Sequence, residues 1–289
     1  MTLAELVADA ARRLAGAPLF YGHGTDNPRD EAAYLVLRAL GLPFDTDLRA
    51  PVTGPQAARV DSLVGRRIRE RMPVAYLLRE AWLDGHVFYV DRRVIVPRSH
   101  IAELLHGKLP VPRVERILDL CTGSGCLAVL AALAFPRARV DASDISRGAL
   151  VVARKNVERY GLQRRIRLVR SDLFAALKGE RYDLILANPP YVAAPAMRRL
   201  PAEYRHEPVI ALAAGRSGLD FVASIIEQAA AHVMSRGILI CEIGENRPAL
   251  ERAYPRLPLI WPKEEVFIFS PSRRPAAPQT RSTRARAAR

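Results

Sequence analysis

Hydrophobic positions in about the first 75 residues recur with the spacing of α-helices. In "TLAELVADAARRL" the apolar side chains fall on one helical face, and Thr2 with Glu5 forms a capping-box pattern. "PRDEAAYLVLRALG" and "PQAARVDSLVGRRIRERM" repeat this spacing, and each has a proline near its start. This region is therefore predicted to form a small helical bundle.

The pattern changes to that of β-strands near residue 81. The segment "AWLDGHVFYVDRRVIVPRS" (81–99) is rich in β-branched and aromatic residues, with turn candidates at Asp84-Gly85 and Asp91-Arg92. It predicts a short hairpin, which a linker containing two prolines follows.

Short apolar runs alternate with helical patterns from about residue 114 onward. The predicted strands are "RILDL", "RVDASDI", "IRLVRSDLF", "YDLILANPP", "GILICEIG" and "EEVFIFS". This alternation predicts an α/β fold, with a largely parallel sheet covered by helices on both faces. Ligands of such sheets bind beyond the carboxyl ends of the strands.

Four segments follow from these patterns. They are an N-terminal helical domain (1–78), a β-hairpin with its linker (79–113), a second domain (114–270) and a basic tail (271–289). The tail has six arginines and no acid, so it holds six of the fourteen net positive charges. Since it has little to bury, we expect it to be disordered. Its charge could supply phosphate affinity, or could reflect base composition alone.

Several classes of protein are disfavoured by the sequence. No apolar run approaches the roughly 18 residues of a membrane span, and the N-terminus lacks the pattern of a signal peptide. We therefore expect a cytoplasmic protein with no membrane partner. The three cysteines, Cys121, Cys126 and Cys241, do not match a zinc-ligand pattern, so we expect reduced thiols and no metal.

The segment "ILDLCTGSGC" (117–126) runs from a predicted strand through a glycine-rich turn into a helix. Gly123 and Gly125 allow a tight turn and close approach of a ligand, and the helix start offers free N–H groups. The dinucleotide fingerprint needs a third glycine three residues later, which is absent. A nucleotide site and a purely structural turn both stay open from this loop alone.

Acidic residues end the next two predicted strands. Asp144 lies 25 residues beyond Asp119 and could accept hydrogen bonds from ribose hydroxyls, whereas Asp141 belongs to the strand body. Asp172, with Leu173, lies 28 residues after Asp144. For both strand-end acids, capping of the following helix or turn is the alternative.

The run "LILA" stops at Asn188, and Pro189, Pro190 and Tyr191 follow. The Asn188 side-chain oxygen and the Pro189 carbonyl could accept the two hydrogens of a planar NH₂ group, because proline rings restrict the backbone. Tyr191 offers an aromatic face to such a group. The alternative is an ordinary strand-ending turn. The position of the motif, downstream of the glycine loop on the same sheet edge, favours function.

These motifs together resemble those of a known class of enzymes. Asp119-x-Cys121-x-Gly123-x-Gly125 stands where Asp/Glu-x-Gly-x-Gly-x-Gly is usual, and with Asn-Pro-Pro-Tyr it resembles the S-adenosylmethionine-dependent amino-methyltransferases. "VIVPRS" (94–99) and "LPAEYRHEPVIALAAGRSGLDF" (200–221) are similar to segments of protein N(5)-glutamine methyltransferases. "ILDLCTGSGC" with Pro-Arg-Ser-His-Ile-Ala-Glu-Leu most resembles the branch that modifies ribosomal protein L-three.

The resemblance implies a Rossmann-like methyltransferase domain that methylates a glutamine side chain in ribosomal protein L-three. It implies an S-adenosylmethionine site built from Asp119, Cys121, Thr122, Gly123, Ser124, Gly125, Asp144, Asp172, Leu173 and Asn188. Asn188 would also contact the substrate amide, and Pro189, Pro190 and Tyr191 would form its pocket. The helical domain would hold the protein substrate. Arg98 and Glu207 lie in matching segments without an assigned role, and a structural ion pair is the simplest expectation.

Other functions stay open at this point. They are glutamine methylation of peptide chain release factors, amino-methylation of a nucleic-acid base, and a non-catalytic role in ribosome assembly. A DNA enzyme would need a means to flip its base, and the helical region lacks an aromatic and basic surface. The intact Asn188 and Asp144 disfavour the non-catalytic role. Contact of the basic tail with ribosomal RNA stays open as well.

Overall fold

The structure of the chain is a computed structural model that describes residues 1–107, 109–111 and 113–271. The predicted basic tail (271–289) lies outside the described residues from position 272 onward. Within the described residues, no helix combines the length and the apolar character that crossing a membrane requires.

The N-terminal region is helical, as its periodicity predicts. Its helices are α1 (Leu3–Ala15), α2 (Pro28–Ala39), α3 (Gly54–Glu70) and the short α4 (Val74–Leu78). The capping box is present, since the Glu5 N–H donates to Thr2 Oγ1 over 3.2 Å and the Thr2 N–H donates to Glu5 Oε2 over 2.8 Å. The apolar faces of the helices meet in one core, which includes the buried Leu14, Leu35 and Val64.

A two-stranded hairpin follows, formed by β1 (Ala81–Leu83) and β2 (His86–Phe88). Its turn is Asp84-Gly85, as predicted, and φ is 53° and 72° at these residues. The second candidate, Asp91-Arg92, forms a turn in which the Val94 N–H donates to the Asp91 carbonyl, and residues 95–99 after it are irregular. The chain then runs irregularly to a one-turn helix, α5 (Ile101–Leu104), which the sequence pattern does not predict.

The remaining elements form a seven-stranded sheet with helices on both faces. Its strands are β3 (Arg116–Leu120), β4 (Arg139–Asp144), β5 (Ile166–Arg170), β6 (Tyr182–Ala187), β7 (Val233–Glu242), β8 (Ile260–Lys263) and β9 (Val266–Phe269). The helices are α6 (Cys126–Ala134), α7 (Arg147–Arg159), α8 (Ala194–Met197), α9 (Asp220–His232) and α10 (Arg247–Ala253). The strand order is β5-β4-β3-β6-β7-β9-β8. Strands β3 to β7 pair in parallel, whereas β9 is antiparallel to both of its neighbours. The predicted α/β class and largely parallel sheet are thus confirmed.

The strand order decides where a ligand can bind. Strands β4 and β5 extend the sheet on one side of β3, and β6 and β7 extend it on the other. Leu120 at the end of β3 is aligned with Ala187 at the end of β6. The loops that follow these two strands therefore meet at the point where the winding reverses, which is where open α/β sheets bind ligands.

Candidate active site

The glycine-rich loop between β3 and α6 has a left-handed backbone at three positions. The φ angles are 60° at Cys121, 55° at Gly123 and 78° at Gly125. Cys121 therefore adopts, at some conformational cost, the backbone that glycine provides in the usual pattern. Gly125 serves packing, because a Cβ there would lie 3.1 Å from the Cβ of Ala153 on α7. A Cβ on Gly123 would meet nothing within 4 Å.

Asp144 lies at the end of β4 and is bonded to the glycine loop. Its Oδ2 accepts from the Gly123 N–H over 2.9 Å, and its Oδ1 accepts from the Ser146 N–H over 2.8 Å. Burial raises the pKa of Asp144, and these N–H groups oppose that shift. Helix α7 is capped by Ser146, whose Oγ accepts from the Ala149 N–H. The alternative that Asp144 is the cap is therefore wrong.

Asp119 lies beneath the loop and is only 1% exposed. Its Oδ2 accepts from the Thr122 hydroxyl and from the Ala128 N–H, while its Oδ1 has no partner in the described part of the chain. Burial raises the pKa of Asp119 to about 7, although both donors act against this. The geometry favours a supporting role for Asp119, and its direct contact with a cofactor stays a prediction.

Asp172 and Leu173 lie on the turn after β5. The turn is held by Ser171, whose Oγ donates to the Leu173 carbonyl over 2.6 Å and accepts from the Ala176 N–H over 3.0 Å. Leu173 has a φ of 43°, which L side chains rarely adopt. Across the described residues, the Asp172 side chain takes no hydrogen bond, so its carboxylate is not used as a cap.

Asn188 follows the last residue of β6 and is oriented by the linker. Its Nδ2 donates to the Arg98 carbonyl over 3.4 Å. Within the described residues, no N–H or O–H group donates to Asn188 Oδ1 or to the Pro189 carbonyl. The two acceptors that the sequence predicts for a planar NH₂ group are therefore both available.

Tyr191 is held in place by a hydrogen bond from Asn246, and two glycines leave room for it. Its carbonyl accepts from Asn246 Nδ2 over 2.7 Å, and a Cβ on Gly218 would lie 2.7 Å from that oxygen. A Cβ on Gly244 would lie 2.7 Å from the Tyr191 ring, so only glycine allows the ring its position. Burial raises the pKa of Tyr191 to about 12.

One cavity brings most of the predicted residues together. Its volume is about 1050 Å³ with the open mouth included. The predicted residues that line it are Cys121, Thr122, Gly123, Ser124, Asp144, Asp172, Leu173, Asn188 and Pro190. Four others, Asp119, Gly125, Pro189 and Tyr191, are not part of its lining.

Two walls of the cavity come from segments for which the sequence indicated no such role. They are residues 93–95 and 97–99 of the linker, and Pro208, Ile210 and Ala211 after the Asn-Pro-Pro-Tyr motif. The Arg98 guanidinium joins them, since it bonds both Glu207 carboxylate oxygens over 2.7 and 2.6 Å. Burial alone would lower the pKa of Arg98, but Glu207 raises it. The only sequence signal for these walls was the similarity of "VIVPRS" and "YRHEP" to family segments.

Buried charges also tie the helical region to this site. Glu203 is fully buried and accepts from Arg67 on α3, from Arg71, and from the Phe20 N–H, over 2.8 to 3.1 Å. Arg67 also donates to Glu31 of α2 over 2.7 Å. Burial alone would raise the pKa of Glu203, but Arg71 and the other donors hold it at about 2. Helix α3 is thus bonded to the segment that leads into one wall of the cavity, and α2 is bonded to it through Arg67.

Comparisons with known proteins agree with this architecture. The methyltransferase small domain family matches residues 100–202. The chain is 53% identical over 268 residues to the ribosomal protein uL3 glutamine methyltransferase of Bordetella pertussis, with 90% of each chain covered. It is 49% identical over 296 residues to that of Burkholderia pseudomallei, with 95% and 96% covered. It is 48% identical over 269 residues to that of Neisseria meningitidis serogroup B, with 90% and 88% covered. The chain belongs to the family of ribosomal protein uL3 glutamine methyltransferases, which depend on S-adenosylmethionine.

Proposed function

We propose that this chain transfers the methyl group of S-adenosylmethionine to the side-chain amide nitrogen of a glutamine in ribosomal protein uL3. The supporting observation is the pair of available acceptors, Asn188 Oδ1 and the Pro189 carbonyl, beside the glycine loop at the switch point of the sheet. The relatives match this chain over at least nine tenths of their own length. They are named for this activity, which supports uL3 as the substrate.

The residues that line the cavity suit S-adenosylmethionine in their chemistry. We assign the loop Cys121–Gly125 to the cofactor, because Gly123 leaves the backbone open to close approach. Asp144 would accept from the ribose hydroxyls, Asp172 from the adenine amino group, and Leu173 would cover the ring. When bound, the cofactor supplies an electrophilic methyl group on a sulfonium.

The chain's own residues act by positioning the amide. An amide nitrogen is a weak nucleophile, because its lone pair is delocalised into the carbonyl. Asn188 Oδ1 and the Pro189 carbonyl would accept one N–H each, which fixes the direction of attack and stabilises the positive charge that develops on nitrogen. Pro190 and Tyr191 would confine the planar group from the sides. After the N–CH₃ bond has formed and the S–CH₃ bond has broken, the positively charged nitrogen loses one of its protons to solvent, so no strongly basic side chain is required.

We also propose that the helical region (1–78) holds the protein substrate. Support comes from the buried Arg67–Glu203 contact, which keeps this region in a fixed relation to the cavity wall. The reaction would take place in the cytoplasm, where ribosomal proteins are made.

A labelling experiment tests the proposed substrate. The purified chain is incubated with methyl-labelled S-adenosylmethionine and, separately, with free uL3, a release factor, ribosomal RNA and DNA. We expect label on uL3 alone. Label confined to the release factor would move the chain to the sister activity, and label confined to nucleic acid would contradict glutamine methylation altogether.

A further inference from the structure

We infer that Glu207 is a positioning residue for Asn188 and that it acts through the backbone of Arg98. The proposed function enters this inference only through the catalytic role of Asn188. Glu207 follows the 3₁₀ turn at Ala202–His206 and is 3% exposed, so its carboxylate is held inside the protein.

Within the described residues, every hydrogen bond that the Glu207 carboxylate accepts comes from the linker. Arg98 Nη1 and Nη2 donate to its two oxygens, and the Val96 N–H donates to Oε1 over 2.9 Å. Arg98 Nη1 also donates to the Val96 carbonyl over 3.1 Å. One carboxylate, from a residue 109 positions later in the chain, therefore fixes the backbone from Val96 to Arg98.

The surroundings keep this ion pair intact. The Nε2 of His23 lies 3.7 Å from Glu207 Oε1, and burial lowers the pKa of His23 to about 4. His23 is therefore neutral near pH 7 and does not compete with Arg98 as a cation. The Arg98 guanidinium also lies over the Tyr204 ring at 5.2 Å, which favours the same placement.

The fixed backbone decides the orientation of the Asn188 amide. The Arg98 carbonyl accepts from Asn188 Nδ2, and because an amide is planar, holding its nitrogen also sets the direction of its oxygen. The bond is 3.4 Å long, near the outer limit for a hydrogen bond. A further shift of the Arg98 backbone by a few tenths of an ångström would break it, and the Asn188 amide would then be free to rotate and turn its oxygen away from the substrate.

The sequence offers a direct spectroscopic test, because the chain has only four asparagines: Asn27, Asn156, Asn188 and Asn246. Labelling asparagine with ¹⁵N gives four side-chain NH₂ pairs, and Asn188→Ala identifies the pair of interest by its loss. We expect Glu207→Gln to shift the Asn188 pair and leave the other three in place. Arg98→Lys, which keeps the carbonyl but cannot bond both carboxylate oxygens in the same plane, should do the same.

The matched control is Glu80→Gln, which weakens a second two-bond Arg–Glu pair, that of Arg38 and Glu80, over 2.7 and 3.0 Å. It should leave the Asn188 pair unchanged.

In kinetics on uL3, we expect Glu207→Gln to lower kcat about tenfold or more, as misplacement of a catalytic group does. Binding of S-adenosylhomocysteine should stay nearly unchanged in both variants, whereas the Tm of Glu207→Gln should fall further than that of Glu80→Gln, because the Glu207 carboxylate is the more deeply buried of the two.

An Asn188 pair that does not move in either Glu207→Gln or Arg98→Lys would overturn the inference. A kcat loss that Glu80→Gln shares would do so too, because it would then report general destabilisation. A wild-type chain that never labels glutamine would reject the proposed function, whereas the NMR comparison would still decide whether Glu207 orients Asn188.

Discussion

The backbone and burial of single motif residues determine which of them can touch a ligand. Cys121 has the left-handed backbone expected of glycine, and Gly123 leaves space at the cavity. Gly125 instead packs on α7, and Asp119 lies under the loop. The identity of a residue in the motif therefore does not show by itself whether it binds a ligand or supports another residue that binds it.

Asp119 should make the stability of the protein depend on pH. Its folded pKa of about 7 lies above its ordinary value of 3.8, so its contribution to stability is complete below about pH 4 and is lost as pH rises through 7. We expect the wild type to lose roughly 2–3 kcal/mol of unfolding free energy between pH 5 and pH 8 from this group. Urea unfolding at both pH values measures the loss.

Asp119→Asn is the matched variant, because the amide oxygen can still accept from Thr122 and Ala128 while the group no longer titrates. The other titrating groups are common to both proteins, so the difference between the two pH dependences isolates Asp119. Equal losses in the two proteins would show that Asp119 is charged throughout this range.

The strand-end residues of the site could be predicted from the sequence, but the groups that orient them could not. Asp144, Asp172 and Asn188 lie at or just beyond the ends of parallel strands, and such ends share one edge of a sheet. The Arg98 carbonyl that orients Asn188 comes from an irregular linker 90 residues earlier. No periodicity links positions so far apart, and a backbone carbonyl has no sequence signature.

The length of an element decided whether its hydrophobic period could be recognised in the sequence. Helices α1, α2 and α3, each at least 12 residues long, show a clear helical period. The short elements α5, α8 and β8 have four residues each, which is too few for a period, and β8 also contains a proline.

The ion pairs between α3 and the segment after β6 could not be predicted either, because charged residues on a helix usually face solvent.

The contact between α3 and Glu203 should contribute strongly to stability. Arg67→Met removes the charge but keeps much of the volume, and it leaves Glu31 and Glu203 buried with one fewer partner. We expect this to lower the unfolding free energy by about 3–5 kcal/mol, as breaking a buried ion pair does. Denaturant unfolding at neutral pH measures the change.

The neighbouring residue gives the control. Arg66 pairs with Glu70 one helical turn away at the protein surface, so Arg66→Met should have a much smaller effect. If the two variants lost similar stability, the buried network would not be what ties the helical region to the cavity wall.

In the whole molecule, part of the net charge of +14 lies in the basic tail, away from the predicted site residues. Deleting residues 271–289 removes six of these charges and none of the predicted site residues. We expect the deletion to weaken binding to ribosomal RNA and to reduce the salt dependence of that binding. Turnover on free uL3 should stay within about twofold of the full chain, because the acceptors at Asn188 and Pro189 are untouched.

Filter binding at several salt concentrations, together with kcat on free uL3, separates the two effects. A large fall in kcat on free uL3 would show that the tail belongs to the active site. An unchanged salt dependence would show that the RNA contact, where there is one, lies elsewhere.

In the proposed reaction, Asn188 and Pro189 hold a glutamine amide of uL3 for methylation. The most direct measurement is mass-spectrometric mapping of uL3 after reaction with the wild type and with Asn188→Ala, with S-adenosylhomocysteine binding measured for both. We predict one added methyl group on a single glutamine side chain with the wild type and none with Asn188→Ala, which should still bind S-adenosylhomocysteine. An unmodified uL3 with the wild type, or near-normal methylation by Asn188→Ala, would contradict the account.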